Sequence, residues 1–91
     1  MLTIEFTNRF KRDYKKAKRQ NFFDKQEFDY VIDKLANRVP LEPKYCDHEL
    51  KGEYAGHREC HIKPDWLLVY KVKENILTLT LTRTGTHSDL F

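Results

Sequence analysis

The chain has 91 residues, 40% of them hydrophobic and 34% charged, which favours one small globular domain with a single core. It contains no apolar run near the roughly 20 residues that cross a bilayer, and its N-terminus lacks the basic-then-apolar order of a signal peptide. These features argue against a membrane protein, and we expect a single cytoplasmic domain covering residues 1–91.

Positive charge is concentrated in one segment. The formal net charge is only +3, yet residues 7–20 hold seven lysines and arginines and a single acid, Asp13. Such a stretch favours contact with phosphates or with an acidic protein. A solvated helix face is the alternative explanation.

Residues 2–20 predict a short strand followed by a helix. Apolar residues alternate with polar ones at the start of the chain: Leu2, Ile4 and Phe6. This period of two is typical of a strand with one buried face. Thr7 or Asn8 is expected to cap the helix that follows. Its apolar residues recur at helical spacing: Phe10, Tyr14 and Ala17.

A second helix is predicted after Asn21. Asp24 and Glu27 have the spacing of a capping box, and Asn37 and Pro40 end the helix. The apolar positions follow the i, i+3, i+4, i+7 pattern: Phe28, Val31, Ile32 and Leu35. Two helices with so short a link are expected to form an antiparallel hairpin on a sheet.

The remainder predicts strands. Residues 39–47 contain two prolines and no clean period, which indicates a surface loop. Four strands are then expected, at residues 48–51, 57–63, 66–73 and 76–83, with Glu74 and Asn75 forming a tight hairpin between the last two. The predicted fold is α+β, with element order β-α-α-β-β-β-β and the helices on one face of a mostly antiparallel sheet.

The alternation of side chains along each strand predicts the sheet face on which a polar residue lies. In residues 57–63, His61 lies on the face opposite Cys60 and Ile62. In the last strand Arg83 is an even number of residues from Leu79 and Leu81, which predicts the same face of the sheet. Its side chain is expected to leave the core at the strand's end. The tail at residues 87–91 is expected to fold back over the sheet.

The cysteines, Cys46 and Cys60, are expected to be reduced thiols, since nothing marks the chain as secreted. A zinc site is the alternative, because several zinc-ligating residue types lie close in sequence: Cys46, His48, His57, Cys60 and His61. The chain lacks a C-x2-C pair and a paired H-x3-5-H motif. We therefore expect no metal and no cofactor, with a zinc-dependent hydrolase as a minor hypothesis that elemental analysis tests.

The chemistry-bearing residues are compatible with RNA cleavage. No glycine-flanked serine, P-loop or GxGxxG motif is present. What remains are three histidines, an aspartate and an arginine: His48, His61, Asp65, Arg83 and His87. RNA cleavage without a metal needs a base for the 2′-hydroxyl, an acid for the leaving 5′-oxygen, and cations for the phosphorane. Structural alternatives stay open: His48 is only a surface residue, Trp66 only fills the core, Arg83 only pairs with a carboxylate, and Phe91 only pins the tail.

The second half of the chain also carries an ordered set of motifs: HELKG from His48, GHRECHI from Gly56, PDWLLVY from Pro64 and RTGTHSDLF from Arg83. In this combination they closely resemble the YafQ branch of the RelE-type toxins, bacterial messenger-RNA interferases from toxin–antitoxin pairs. The match covers residues 48–91, about half of the chain. The N-terminal half agrees in layout but has no motif of its own.

The resemblance implies a ribosome-dependent endoribonuclease that cuts mRNA in the decoding site without metal. It implies inhibition by a DinJ-like antitoxin, with operator DNA bound only through the antitoxin complex. The family's functional positions fall on seven residues: His48, His61, Asp65, Trp66, Arg83, His87 and Phe91.

Roles for these residues follow from the same resemblance. His87 would be the general acid and Asp65 the leading candidate for the base, with His48 as the alternative base. His48 and His61 would orient or stabilise the scissile phosphate, and Arg83 would neutralise the phosphorane. Many RelE-type toxins use lysines, arginines and a tyrosine instead, so their proposed mechanisms do not transfer.

Two groups of residues would contact RNA outside the reacting atoms. Nucleotide stacking would fall to two aromatic residues, Trp66 and Phe91. Ribosomal RNA would be bound by lysines of the first helix: Lys11, Lys15 and Lys18. The competing hypothesis is a non-catalytic module of the same fold that binds an antitoxin-like partner or operator DNA. The complete set of five catalytic candidates favours the enzyme.

Overall fold

The computed structural model describes residues 1–91. Three helices and five strands follow one another along the chain: β1 Thr3–Phe6, α1 Asn8–Ala17, α2 Lys25–Ala36, β2 His48–Glu49, β3 Arg58–Lys63, β4 Trp66–Lys73, β5 Thr78–Gly85 and α3 His87–Leu90. The strands form one sheet in the order β1-β5-β4-β3-β2. β1 pairs in parallel with β5, and all other pairs are antiparallel. The predicted α+β class is confirmed, and no helix is long and apolar enough to cross a bilayer.

Side-chain caps begin both long helices. The Thr7 hydroxyl accepts the Phe10 N–H at 2.9 Å, so Thr7, and not Asn8, caps α1. The Asp24 carboxylate accepts the Glu27 N–H at 3.1 Å and caps α2. The predicted capping box is only half formed, because the Glu27 side chain accepts a hydrogen bond from the Tyr45 hydroxyl instead.

The main core lies between α1, α2 and one face of the sheet, and Trp66 lies within it. Its ring centroid is 5.4 Å from those of Phe22 and Phe23 and 6.0 Å from that of Phe28. The indole N–H donates to the Thr84 hydroxyl at 2.9 Å. Apolar burial of this kind is the largest favourable contribution to folding, and the indole does not leave its N–H unsatisfied.

The opposite face of the sheet carries Leu67 and Val69, which pack with Leu90 in a smaller apolar cluster. We call this the site face. Leu90 belongs to α3, so the tail does fold back over the sheet, as predicted. Leu50 and Tyr54 also pack against this cluster.

A bulge in β5 changes the predicted direction of Arg83. Val69 opposes Arg83, whereas Tyr70 opposes Leu81, so Thr82 is an extra residue in β5. Directly opposed residues share a face, which places Arg83 on the site face with Val69. The prediction that Arg83 lies on the same sheet face as Leu81 is wrong, because one inserted residue reverses the alternation of faces beyond it.

Strand ends also differ from prediction. β5 begins at Thr78, and Leu77 is 59% exposed in a left-handed conformation. A 3₁₀ turn over Glu74–Ile76 replaces the predicted tight hairpin, which lacked the glycine that such a hairpin favours. The strand predicted at residues 48–51 is only His48–Glu49.

The two thiols differ in exposure. Cys60 is fully buried in the main core, and burial raises the pKa of its thiol, whereas Cys46 is exposed. Because the thiolate is the reactive form, iodoacetamide is expected to alkylate only Cys46 in the native protein and both cysteines after unfolding. Mass spectrometry counts the adducts. Rapid double labelling of native protein would contradict the buried position of Cys60.

Candidate active site

Three elements bring histidines together on the site face. His48 of β2 is directly opposite Glu59 of β3, and His61 follows Glu59 by two residues. His87 begins α3. The imidazole centroids of His48 and His61 are 6.4 Å apart, and those of His61 and His87 are 5.5 Å apart. The three predicted histidines therefore form a continuous row with His61 in the middle.

Backbone carbonyls fix the tautomers of two of these histidines. His48 Nδ1 lies 2.6 Å from the Cys46 carbonyl oxygen, and His61 Nδ1 lies 3.2 Å from that of Pro64. A carbonyl oxygen only accepts, so each Nδ1 must carry the proton. In the neutral rings Nε2 therefore holds the lone pair that a base requires, whereas binding of a phosphate oxygen requires a proton on Nε2 as well.

Glu59 was not among the predicted site residues. Its Oε1 lies 3.6 Å from His48 Nε2 and 3.4 Å from His61 Nε2, and the residue is only 5% exposed. A buried carboxylate needs charged or hydrogen-bonding partners, and here both neighbours are imidazoles. The position of Glu59 two residues before His61, on the same strand face, was the sequence signal for it.

Asp65 holds His87. One carboxylate oxygen, Oδ1, accepts from both His87 Nδ1 at 2.7 Å and the His87 backbone N–H at 3.0 Å. These two hydrogen bonds, the backbone one first, lower the pKa of the Asp65 carboxyl. His87 Nε2 is left for a reacting group. Asp65 is thus a weaker base than an ordinary aspartate and is suited to orienting the imidazole.

The short helix α3 is itself anchored. Thr86 and Asp89 form a reciprocal capping box, and Asp89 Oδ1 also accepts from Lys16 Nζ of α1 at 2.9 Å. Gly85 allows this arrangement, because a Cβ there would lie 3.0 Å from Asp89 Oδ2. The basic helix is therefore tied to the segment that carries His87.

Arg83 is paired within the protein. Its Nε donates to Asp13 Oδ2 at 2.7 Å, its Nη2 to Asp13 Oδ1 at 3.1 Å, and its Nη1 to the Tyr54 hydroxyl at 3.2 Å. The Asp13 hydrogen bond raises the pKa of Arg83 above its ordinary range. Pairing with a carboxylate was one of the open alternatives, and it is observed. Neither Asp13 nor Tyr54 was predicted.

The two aromatic candidates have opposite positions. Trp66 is fully buried among the phenylalanines of the main core, so the prediction that its ring stacks on a nucleotide is wrong. Phe91 is 64% exposed, and its ring lies edge-on to Tyr54 at 5.9 Å between centroids. Of these two residues, only Phe91 presents an aromatic surface that an RNA base can reach.

The predicted RNA-binding lysines are exposed: Lys11 and Lys15 lie on α1, and Lys18 caps its C-terminal end. Together with several aromatic residues they line a shallow cleft of about 440 Å³; the lining includes Phe6, Phe10, Lys11, Tyr14, Lys15 and Lys18. No group of three or more histidine, cysteine or acidic residues has the geometry to hold a metal ion. The zinc hypothesis thus gains no support from this arrangement.

Comparisons with known proteins agree with this fold and show the family. Residues 2–91 match the family described as the bacterial toxin of type II toxin–antitoxin systems, YafQ. The chain is 37% identical to the mRNA interferase toxin YafQ of Escherichia coli K12, over 97% of this chain and 94% of that one. A metal-bound toxin from Helicobacter pylori superposes with a TM-score of 0.92 at 49% identity, with both chains fully covered. The E. coli DinJ–YafQ complex gives 0.87 at 36% identity, over 100% and 99% of the chains. The chain therefore belongs to the YafQ family of type II toxin–antitoxin toxins, as its motifs predicted.

Proposed function

We propose that this protein is an mRNA interferase that cleaves messenger RNA in the ribosomal A site. The observation that carries the proposal is the row of His48, His61 and His87, in which Glu59 and Asp65 lie beside the ring nitrogens. The relatives named mRNA interferases support the substrate class. The H. pylori relative is metal-bound, whereas the mechanism proposed for this chain uses only its own side chains.

The order of the three imidazoles supports an assignment of roles. In an in-line displacement the attacking and leaving oxygens lie on opposite sides of the phosphorus. His48 and His87 flank the row, and His61 lies between them. His48 Nε2 would take the proton from the 2′-hydroxyl, His61 would bind the phosphate, and His87 Nε2 would protonate the leaving 5′-oxygen.

Two carboxylates act through these histidines. Asp65 holds His87 by its Nδ1 and backbone N–H, which fixes the ring and leaves Nε2 to act as the general acid. This positioning role replaces the base role that the resemblance implied for Asp65. Glu59 would stabilise positive charge on His48 once that histidine has taken the 2′-hydroxyl proton.

Substrate contacts come from the rim of this site. The exposed ring of Phe91 would stack on a base next to the scissile bond, which aromatic faces do for any nucleotide. Arg83 would stabilise charge on the phosphorane through N–H groups that Asp13 and Tyr54 leave unused. The partner that inhibits the toxin would be a DinJ-like antitoxin, as in the E. coli complex, and operator DNA would be bound only through that complex.

Ribosome docking is assigned to α1. Replacing Lys11, Lys15 and Lys18 together with glutamate is expected to abolish co-sedimentation with ribosomes in moderate salt, because phosphate contacts supply sequence-independent affinity. All three residues are exposed, so the fold is expected to survive.

A matched control reverses three basic residues of the second helix and its end: Lys25, Lys34 and Arg38. These make surface ion pairs that contribute little to stability. The control is expected to sediment with ribosomes more strongly than the α1 variant. Equal sedimentation of the two variants would reject a specific role for α1.

The decisive experiment compares the wild-type protein with His87→Ala on translating ribosomes, under tightly controlled expression. Mapping of mRNA 5′ ends is expected to show cuts inside codons in the A site for the wild type and almost none for the variant. Free mRNA without ribosomes is expected to remain intact. Absence of wild-type cleavage would favour the non-catalytic binding module, and equal cleavage by both proteins would reject this mechanism.

A further inference from the structure

Asp13 is the only acid in the basic segment of residues 7–20, and its side chain is only 16% exposed. It accepts three hydrogen bonds from β5: two from the Arg83 guanidinium and one from the Thr84 backbone N–H at 3.2 Å. Surface acids in basic helices ordinarily form ion pairs with lysines three or four residues away. Asp13 instead reaches from α1 to the strand that carries a predicted catalytic cation.

Three N–H groups of the Arg83 guanidinium are hydrogen-bonded within the protein, and two are free. Arginine has five N–H donors in a planar fork. Asp13 takes the Nε–H and one Nη2 proton, and the Tyr54 hydroxyl takes one Nη1 proton. One N–H on each terminal nitrogen remains, which is the pair of groups that binds a phosphate when both point to it.

We propose that Asp13 is a positioning residue for RNA cleavage, which fixes Arg83 so that its unused terminal N–H groups meet the scissile phosphate. The inference rests on the proposed function, because it assigns Arg83 to that reaction. A free arginine side chain samples many rotamers. The two-point contact with Asp13 holds one of them, and the third hydrogen bond fixes the backbone directly after Arg83.

The same contacts argue against a purely electrostatic role. A carboxylate beside Arg83 reduces the net positive charge near a phosphate, so removing Asp13 would favour RNA binding if charge alone mattered. Positioning has the opposite effect on the chemical step, since displacement of a catalytic group by 1 Å can cost on the order of 10²-fold in rate. Binding and cleavage are therefore expected to respond in opposite directions.

Asp13→Asn is the test variant, compared with Asp29→Asn, which makes the same charge change at an exposed site on α2. Ribosome affinity and the single-turnover cleavage rate are measured separately, with circular dichroism to verify the fold. Asp13→Asn is expected to bind as tightly as wild type or more tightly, yet to cleave on the order of 10²-fold more slowly. Asp29→Asn is expected to cleave at the wild-type rate. Equal rates for Asp13→Asn and wild type would overturn the inference.

A double-mutant cycle separates positioning from a general structural effect. In an Arg83→Ala background, Asp13→Asn is expected to cause no further loss of cleavage, because the group that it positions is absent. A further loss of similar size would show that Asp13 acts through the fold and would overturn the inference.

If Asp13→Asn does not fold, Asp13→Glu, which keeps the charge but moves it by one methylene, is used in the same cycle with the same expected outcomes. Absence of cleavage by wild type would instead reject the proposed function itself.

Discussion

Replacing Trp66 with alanine is expected to lower the free energy of unfolding by about 3–5 kcal/mol, the range measured for large aromatic residues in protein cores. The indole is fully buried, contacts three phenylalanine rings and donates to the Thr84 hydroxyl. Its removal leaves a cavity that the sheet and helices fill only in part. Urea unfolding followed by far-ultraviolet circular dichroism measures the loss. A stability equal to that of wild type would contradict the buried position.

Phe91→Ala is the matched control. Phe91 is exposed at the end of the chain, so its removal is expected to change stability by less than about 0.5 kcal/mol. Cleavage is expected to weaken by the equivalent of about 1–3 kcal/mol, the usual contribution of one base stacked on an aromatic ring. Loss of stability without loss of cleavage would exclude Phe91 as a stacking residue.

His87→Ala is expected to reduce the single-turnover cleavage rate about 10²- to 10⁴-fold, the usual contribution of a positioned general acid. The fold is expected to persist, because the imidazole is exposed and contacts mainly Asp65 and His61. Rates are measured on programmed ribosomes with saturating protein, so that binding does not limit them. A loss of less than threefold would reject His87 as the acid.

Asp65→Asn tests the positioning role. If Asp65 were the base, Asp65→Asn would reduce the cleavage rate as severely as His87→Ala does, and it would reduce the rate further in a His87→Ala background. If Asp65 is a positioning residue, Asp65→Asn causes no further loss of cleavage in that background.

The contact between Asp65 and His87 depends on pH with a defined sign. The folded pKa of Asp65 is lowered, so its contact with His87 is complete above the ordinary carboxyl pKa of about 3.9. The contact is lost only as the pH falls through the lowered value, and at neutral pH Asp65 does not limit the rate.

The contrast between Trp66 and Phe91 shows why residue type alone did not separate a core residue from a site residue. Both are aromatic and belong to motifs of the family. Trp66 begins a strand whose alternate residues, Leu68 and Tyr70, face the main core. The alternation of side chains along β4 thus predicts that Trp66 is buried, whereas its family motif predicted contact with the substrate.

Asp13 was missed for a different reason. It is an ordinary acid in sequence, and its partner Arg83 lies 70 residues away. No local pattern indicates such a contact, since the fold decides it, whereas Glu59 had a local signal in its spacing from His61. The three histidines were found because their residue type suits acid–base chemistry and because the ordered family motifs contain them.

The amino-acid sequence determined the family, the α+β class and the caps and apolar faces of α1 and α2, because these depend on local spacing and on ordered motifs. Only the tertiary structure decided which side chains face the site. The bulge at Thr82 turns Arg83 to the site face, and the register of β2 with β3 places His48 opposite Glu59. Strand register is a long-range property, and a shift of one residue reverses every side chain beyond it. The row of histidines and its supporting carboxylates therefore exist only when the sheet is assembled.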